Sequence, residues 1–81
     1  MDKNGETLHY GDIVYTDNPL YGELIARIRQ LIDVNGTAIM SCTVVDGNDI
    51  FPNGTGVLLW GSDVVRLGTF SERSLAAVLS N

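Results

Sequence analysis

Eighty-one residues carrying ten acids against five bases, a formal charge of −5, make one small acidic domain. The single cysteine, Cys42, and the single histidine, His9, exclude an intrachain disulfide and any cysteine- or histidine-rich metal site built within one chain. A hydrophobic fraction of 44% and a mean hydropathy of +0.12 allow folding without covalent staples, and they are high for so small a monomer, which favours an interface.

The bases sit at Lys3, Arg27, Arg29, Arg66 and Arg73. From Ile32 to Val65 there is none, whereas Asp33, Asp46, Asp49 and Asp63 lie in that stretch. Phosphate binding needs clustered Lys and Arg, so direct nucleic-acid binding is disfavoured, with an Arg27/Arg29 patch as its one foothold. No apolar run approaches the ~20 residues that span a bilayer, and the polar N-terminal stretch lacks the apolar core of a signal peptide. The expectation is a cytoplasmic protein with no membrane contact.

In chain order, Asn4-Gly5 marks a first turn, and Asn35-Gly36 and Asn53-Gly54 mark two more. A strand is predicted from Gly11 through Asp12-Ile13-Val14-Tyr15-Thr16, ended by Asp17-Asn18-Pro19. A long second strand runs from Glu23 to Ile32, and its arginines turn the odd positions toward solvent. The third strand, Thr37 to Val45, alternates Ala38, Met40, Cys42 and Val44 against a more polar set. Inward residues of neighbouring strands must face each other. A three-residue loop, Val34-Asn35-Gly36, meets that condition and predicts the pairs Ile32–Ala38, Gln30–Met40, Ile28–Cys42 and Ala26–Val44.

Asp46 to Gly56 reads as a loop rich in Asn, Asp, Gly and Pro. Val57-Leu58-Leu59-Trp60 is a short strand, Gly61-Ser62-Asp63 a tight turn, and Val64-Val65-Arg66-Leu67 a strand expected to close the sheet. Thr69-Phe70-Ser71-Glu72 has the form of a capping box, and Leu75, Val78 and Leu79 follow at helical spacing. The predicted architecture is all-β: a small five-stranded SH3-like barrel over 1–68, with a short C-terminal helix over 69–81 that packs on the barrel or on a partner.

The spacing Asp2, Gly5, Leu8, Gly11, Asp12, Val14 resembles the opening of small SH3-like barrels of the KOW/Tudor kind, which are frequent among short proteins of phages and mobile elements. Asp12-Ile13-Val14-Tyr15 followed by Ile25-Ala26-Arg27-Ile28 is also similar to the start of bromo-adjacent homology and Tudor modules. The resemblance covers the first two strands and implies a fold, with no catalytic residue in it. A nucleic-acid-binding KOW domain is usually basic, and this chain is acidic.

Tudor-like barrels are similar in holding a cation in an aromatic ring set, and Tyr10, Tyr15, Tyr21, Phe51 and Trp60 are the residues available for one, with Asp17 or Asp49 as counter-charge. The plainer expectation is that Trp60 and Phe51 fill the core while the tyrosines cover its rim. Asp46-Gly47-Asn48-Asp49 has oxygen ligands but lacks the spacing and distal Glu of a calcium loop, so it reads as a polar turn. Cys42, mid-strand on the inward face, reads as a core filler. Asn35-Gly36-Thr37 and Asn53-Gly54-Thr55 fit glycosylation sequons and are read as turns. No nucleophile–base pair, phosphate loop, cofactor site or paired-carboxylate motif is present.

The leading expectation is therefore a non-catalytic protein-interaction module, with a second copy of itself among its candidate partners, that uses Tyr15, Tyr21, Ile25, Arg27, Arg29, Leu31, Ile39 and Trp60 as partner contacts. One alternative is an acidic phage-type inhibitor presenting Asp33, Asp46, Asp49 and Asp63 to a nucleic-acid-binding host protein. Another is nucleic-acid binding through Arg27 and Arg29.

Overall fold

The computed structural model describes residues 1–69, and five antiparallel strands form one sheet there. They are β1 (Asp12–Asn18), β2 (Gly22–Val34), β3 (Thr37–Asp46), β4 (Gly56–Trp60) and β5 (Val64–Thr69), with a single 3₁₀ turn at Gly61–Asp63. The helix expected over 69–81 lies, beyond Thr69, outside the described residues.

Alternation builds the core on one face. Val14, Leu24, Ala26, Ile28, Met40, Cys42, Val44, Leu59 and Val64 are fully or nearly fully buried, and Leu8 reaches in from the N-terminal segment. Burying one such aliphatic side chain contributes roughly 1.5–3 kcal/mol, so this face supplies most of the driving force. Tyr21, Leu31 and Phe51 pack at its margin.

The β2–β3 turn corrects the expected loop. Val34 pairs with Thr37 across a two-residue Asn35-Gly36 turn, both residues at positive φ (53° and 82°). Positive φ at both central residues is what such a turn requires, and Asn-Gly supplies it at least steric cost. The Asp33 carboxylate accepts the Gly36 N–H at 2.9 Å. The pairs near the turn are Asp33–Ala38, Ile32–Ile39, Leu31–Met40 and Gln30–Ser41, so Ile32–Ala38 and Gln30–Met40 do not form. Arg29 then bulges out of the ladder, and Ile28–Cys42 and Ala26–Val44 pair as expected. One bulged residue restores the parity that a third loop residue was expected to provide.

Two further irregularities fall between Ile25 and Ala26 on β2 and between Ile13 and Val14 on β1. Bulges increase local twist, so together the three curl the sheet. Curling is required by the connectivity. The strand order is β4-β3-β2-β1-β5, which puts β4 and β5 at opposite edges, yet only Gly61–Asp63 joins them. The expected closure by β5 is not made: β5 pairs with β1 alone and the sheet stays open. The Thr16 hydroxyl donates to the Asp63 carbonyl at 3.0 Å and the Asn18 amide to the Asp63 carboxylate at 3.3 Å, tying the 3₁₀ turn to β1. Gly61 is held by close approach. A Cβ there would run into the Met1 carbonyl oxygen and lie 2.9 Å from the Ala38 Cβ.

Because Arg29 is surplus to the ladder, its deletion leaves every other β2–β3 pair in place. Deleting Arg27 instead shifts Leu24 and Ala26 by one position and turns them outward. We expect the Arg29 deletion to keep a cooperative thermal transition by circular dichroism and the Arg27 deletion to lose it.

Candidate functional site

The five aromatics do not gather. Among the described residues one ring pair forms, Tyr21 edge-on to Phe51 with centroids 5.0 Å apart. This pair caps the core beneath the 46–55 loop. Asn48 holds that loop: its amide donates to the carbonyls of Tyr21 (2.9 Å) and Glu23 (3.2 Å), and its carbonyl oxygen accepts the N–H groups of Ile50 and Phe51. The Asp46-Gly47-Asn48-Asp49 stretch thus spends its central amide on the backbone. Among the described residues no group of three or more His, Cys, Asp or Glu stands together as a metal-binding set.

Tyr15 lies on the outer face of β1, opposite Ile25, and its hydroxyl hydrogen-bonds Glu23. Burial, with the Glu23 and Asp17 carboxylates beside it, pushes the phenol above its ordinary pKa. Tyr10 is exposed, in a shallow groove of about 580 Å³ that also holds His9, Arg29, Leu31 and Ile32. Trp60 corrects the expectation of a core plug: it stands on the outer face of edge strand β4, 49% exposed.

Arg27 and Arg29 do not form a pair on one strand face, because the bulge separates them. Arg27 is half-buried opposite Thr43 and Ile13, and Arg29 is exposed in the groove beside Tyr10. The four aspartates are also dispersed. Asp33 sits at the β2–β3 tip, Asp46 and Asp49 at the other end of β3, and Asp63 in the 3₁₀ turn. They present no common face.

What the structure does assemble is an apolar strip on the outer face of β2, β3 and β4. Ile32 pairs with Ile39, Ile39 with Trp60, and Ser41 with Leu58. Ile32 and Leu58 are 58% and 61% exposed, and a shallow pocket of about 120 Å³ opens between Gln30, Leu31, Ile32, Ile39, Ser41 and Leu58. Of the expected contacts, Ile39 and Trp60 belong to this strip. Leu31, partly buried against the core, also lines this pocket; Ile25 and Tyr15 lie further along the sheet, and Tyr21 is packed on Phe51. The three-residue loop expected from the sequence turns Ile32 inward, whereas the two-residue turn turns it outward; Leu58 lies in a strand apolar on both faces, where sequence alone does not mark the outer one.

The two sheet edges differ. On β5, the Lys3 N–H donates to the Val64 carbonyl at 2.9 Å, and the Asp2 carboxylate accepts the Arg66 N–H at 2.8 Å. The Arg66 guanidinium in turn meets the buried Asp12 carboxylate at 3.0 Å. The N-terminal segment therefore covers this edge. On β4, among the described residues, no backbone hydrogen bond reaches Gly56–Trp60 except from β3.

No protein-family model matches the chain, and no curated protein or solved structure is detectably similar to it. Among the described residues no helix is long and apolar enough to cross a membrane.

Burial pushes the Asp2 carboxyl up, but the N–H groups of Arg66, Glu6 and Asn4 and the positive N-terminus outweigh it and hold it below its ordinary pKa. A depressed folded-state pKa stabilises the fold above the unfolded value, about 4, and that stability is lost as pH falls through the lower folded value. Urea unfolding between pH 2 and 5 should show this loss in the wild type and a flatter profile in Asp2→Asn. Asp2→Ala, which removes all these acceptors, should cost about 3 kcal/mol at neutral pH. Burial pushes the Cys42 thiol up to about 12. A thiol reagent at pH 8 should therefore label Cys42 only after denaturation.

Proposed function

We propose that this chain is a non-catalytic protein-interaction module built on an open SH3-like barrel, and that it binds through β4 and the apolar strip beside it. The barrel reading is supported by the meander β1 to β4, the 3₁₀ turn between β4 and β5, the pairing of β5 back onto β1, and the curl that this connection demands.

The observation that carries the binding reading is that, among the described residues, only β3 hydrogen-bonds the backbone of edge strand β4. Gly56-Val57-Leu58-Leu59-Trp60 has no charge and no proline, and Leu58 and Trp60 project from it into solvent. Folded proteins blunt such edges with Lys, Pro, bulges or a covering segment, and β5 is covered in this way. An edge that no other described residue covers, beside exposed Ile32, is suited to accept a partner. Binding rather than catalysis fits the reactive groups present: the one thiol is buried, and the one histidine is exposed beside an aspartate already engaged by Arg66.

A photo-crosslinking amino acid placed at position 58 should yield protein adducts in cells. The same probe at position 20, which is 75% exposed but remote from the strip, should yield few. Equal yields at the two positions, or none at 58, would rule this surface out.

A further inference from the structure

We infer that the partner of β4 is the β4 strand of a second copy, paired antiparallel about a two-fold axis through Leu58. This rests on the reading of β4 as a binding edge and names its occupant.

The first argument is self-complementarity. Antiparallel pairing of Gly56–Trp60 with itself, centred on residue 58, sets Trp60 opposite Gly56 of the second copy, Leu58 opposite Leu58, and Val57 opposite Leu59. Val57 and Leu59 are the inward residues of β4 and Gly56, Leu58 and Trp60 the outward ones, so the core and the outer strip both continue across the axis. The indole of Trp60 then covers a position with no side chain. An aromatic over a cross-strand glycine is a recognised way to stabilise an otherwise weak edge position.

Charge is the second argument. Each copy carries a formal charge of −5, so two copies repel wherever acids meet. The segment from Thr55 to Ser62 contains no ionisable side chain, and Ile32, Ile39 and Ser41 extend that neutrality across the outer face. This is therefore a surface on which two copies meet with little repulsion. A basic partner would instead seek acids, and the strip offers none. The acids that do gather, Asp17, Glu23 and Asp46 around Tyr15, lie at the other end of the sheet.

Area sets the strength. A pair of five-residue strands with their flanking apolar side chains falls short of the roughly 800 Å² per partner of stable complexes. The dimer is therefore expected to dissociate in the micromolar range. It should tighten as salt rises, because screening relieves the −5/−5 repulsion while the apolar contact is untouched.

Sedimentation equilibrium of the 8.8-kDa chain, from micromolar to submillimolar concentration at low and high salt, tests this directly. We expect a monomer–dimer equilibrium that tightens with salt. Leu58→Arg, which sets like charges opposite each other on the axis, should weaken it by at least about tenfold while circular dichroism stays unchanged. The second measurement is mild oxidation of Leu58→Cys, with the buried Cys42 left in place. It should give a disulfide-linked dimer far faster than Leu20→Cys, because residue 58 faces its own copy. A monomer throughout the range, with Leu58→Cys no faster than Leu20→Cys, would overturn self-pairing. A dimer that persists in Leu58→Arg would overturn it too. In either case photo-crosslinking from position 58 to a different protein would leave the binding reading standing, whereas loss of all adducts at 58 would remove both.

Discussion

Three residues, Gly61–Asp63, join strands that stand at opposite edges of a five-stranded sheet. Laid flat, those edges would be about 19 Å apart at ordinary strand spacing. The chain from Trp60 to Val64 spans at most about 14 Å even when extended, and the 3₁₀ turn shortens it further. The sheet has no choice but to curl. The bulges supply the twist, the inward aliphatics fill the hollow, and Gly61 is the residue that lets Met1 and Ala38 approach the link.

The same constraint explains where the polar side chains are spent. A curled, open sheet leaves a seam, and buried polar groups along it must be satisfied. Asp2 and Asp12 do this on either side of Arg66, one taking its backbone N–H and the other its guanidinium. Thr16 and Asn18 do it at the 3₁₀ turn, and Asn48 does it beneath the long loop. Each of these groups is engaged with backbone or with a neighbouring side chain. They hold the backbone so that one outer strip can stay apolar without unravelling the edge beside it.

Much of the strand content could be read from alternation, because Ala38, Met40, Cys42 and Val44 leave β3 only one inward face. The turn between β2 and β3 could not. A three-residue loop, and a two-residue turn followed by a bulge, bring Ile28 to Cys42 and Ala26 to Val44 equally well. The residue that decides between them is whichever of Leu31 and Ile32 points inward, and two adjacent aliphatics give no preference. The Asp2 knot was equally hidden, since its partner Arg66 is 64 residues away and no local pattern announces a carboxylate destined for burial. The core-plug reading of Trp60 fails for a related reason, while its reading as an outer-face contact does not. Size argues for the core, but in a strand apolar on both faces parity alone decides, and parity gives the inward places to Val57 and Leu59.

The unequal treatment of the two sheet edges has a consequence for how many copies can join. Were both edges bare, β4 of one molecule could pair with β5 of the next, and that head-to-tail contact would repeat without end unless the rotation happened to close a ring. With residues 2 and 3 bonded to β5 at Val64 and Arg66, the like-with-like pairing inferred for β4 would be used up after one partner. The N-terminal segment is in this sense a chain terminator. By occupying part of one edge it would favour a finite pair over an open filament in strand addition.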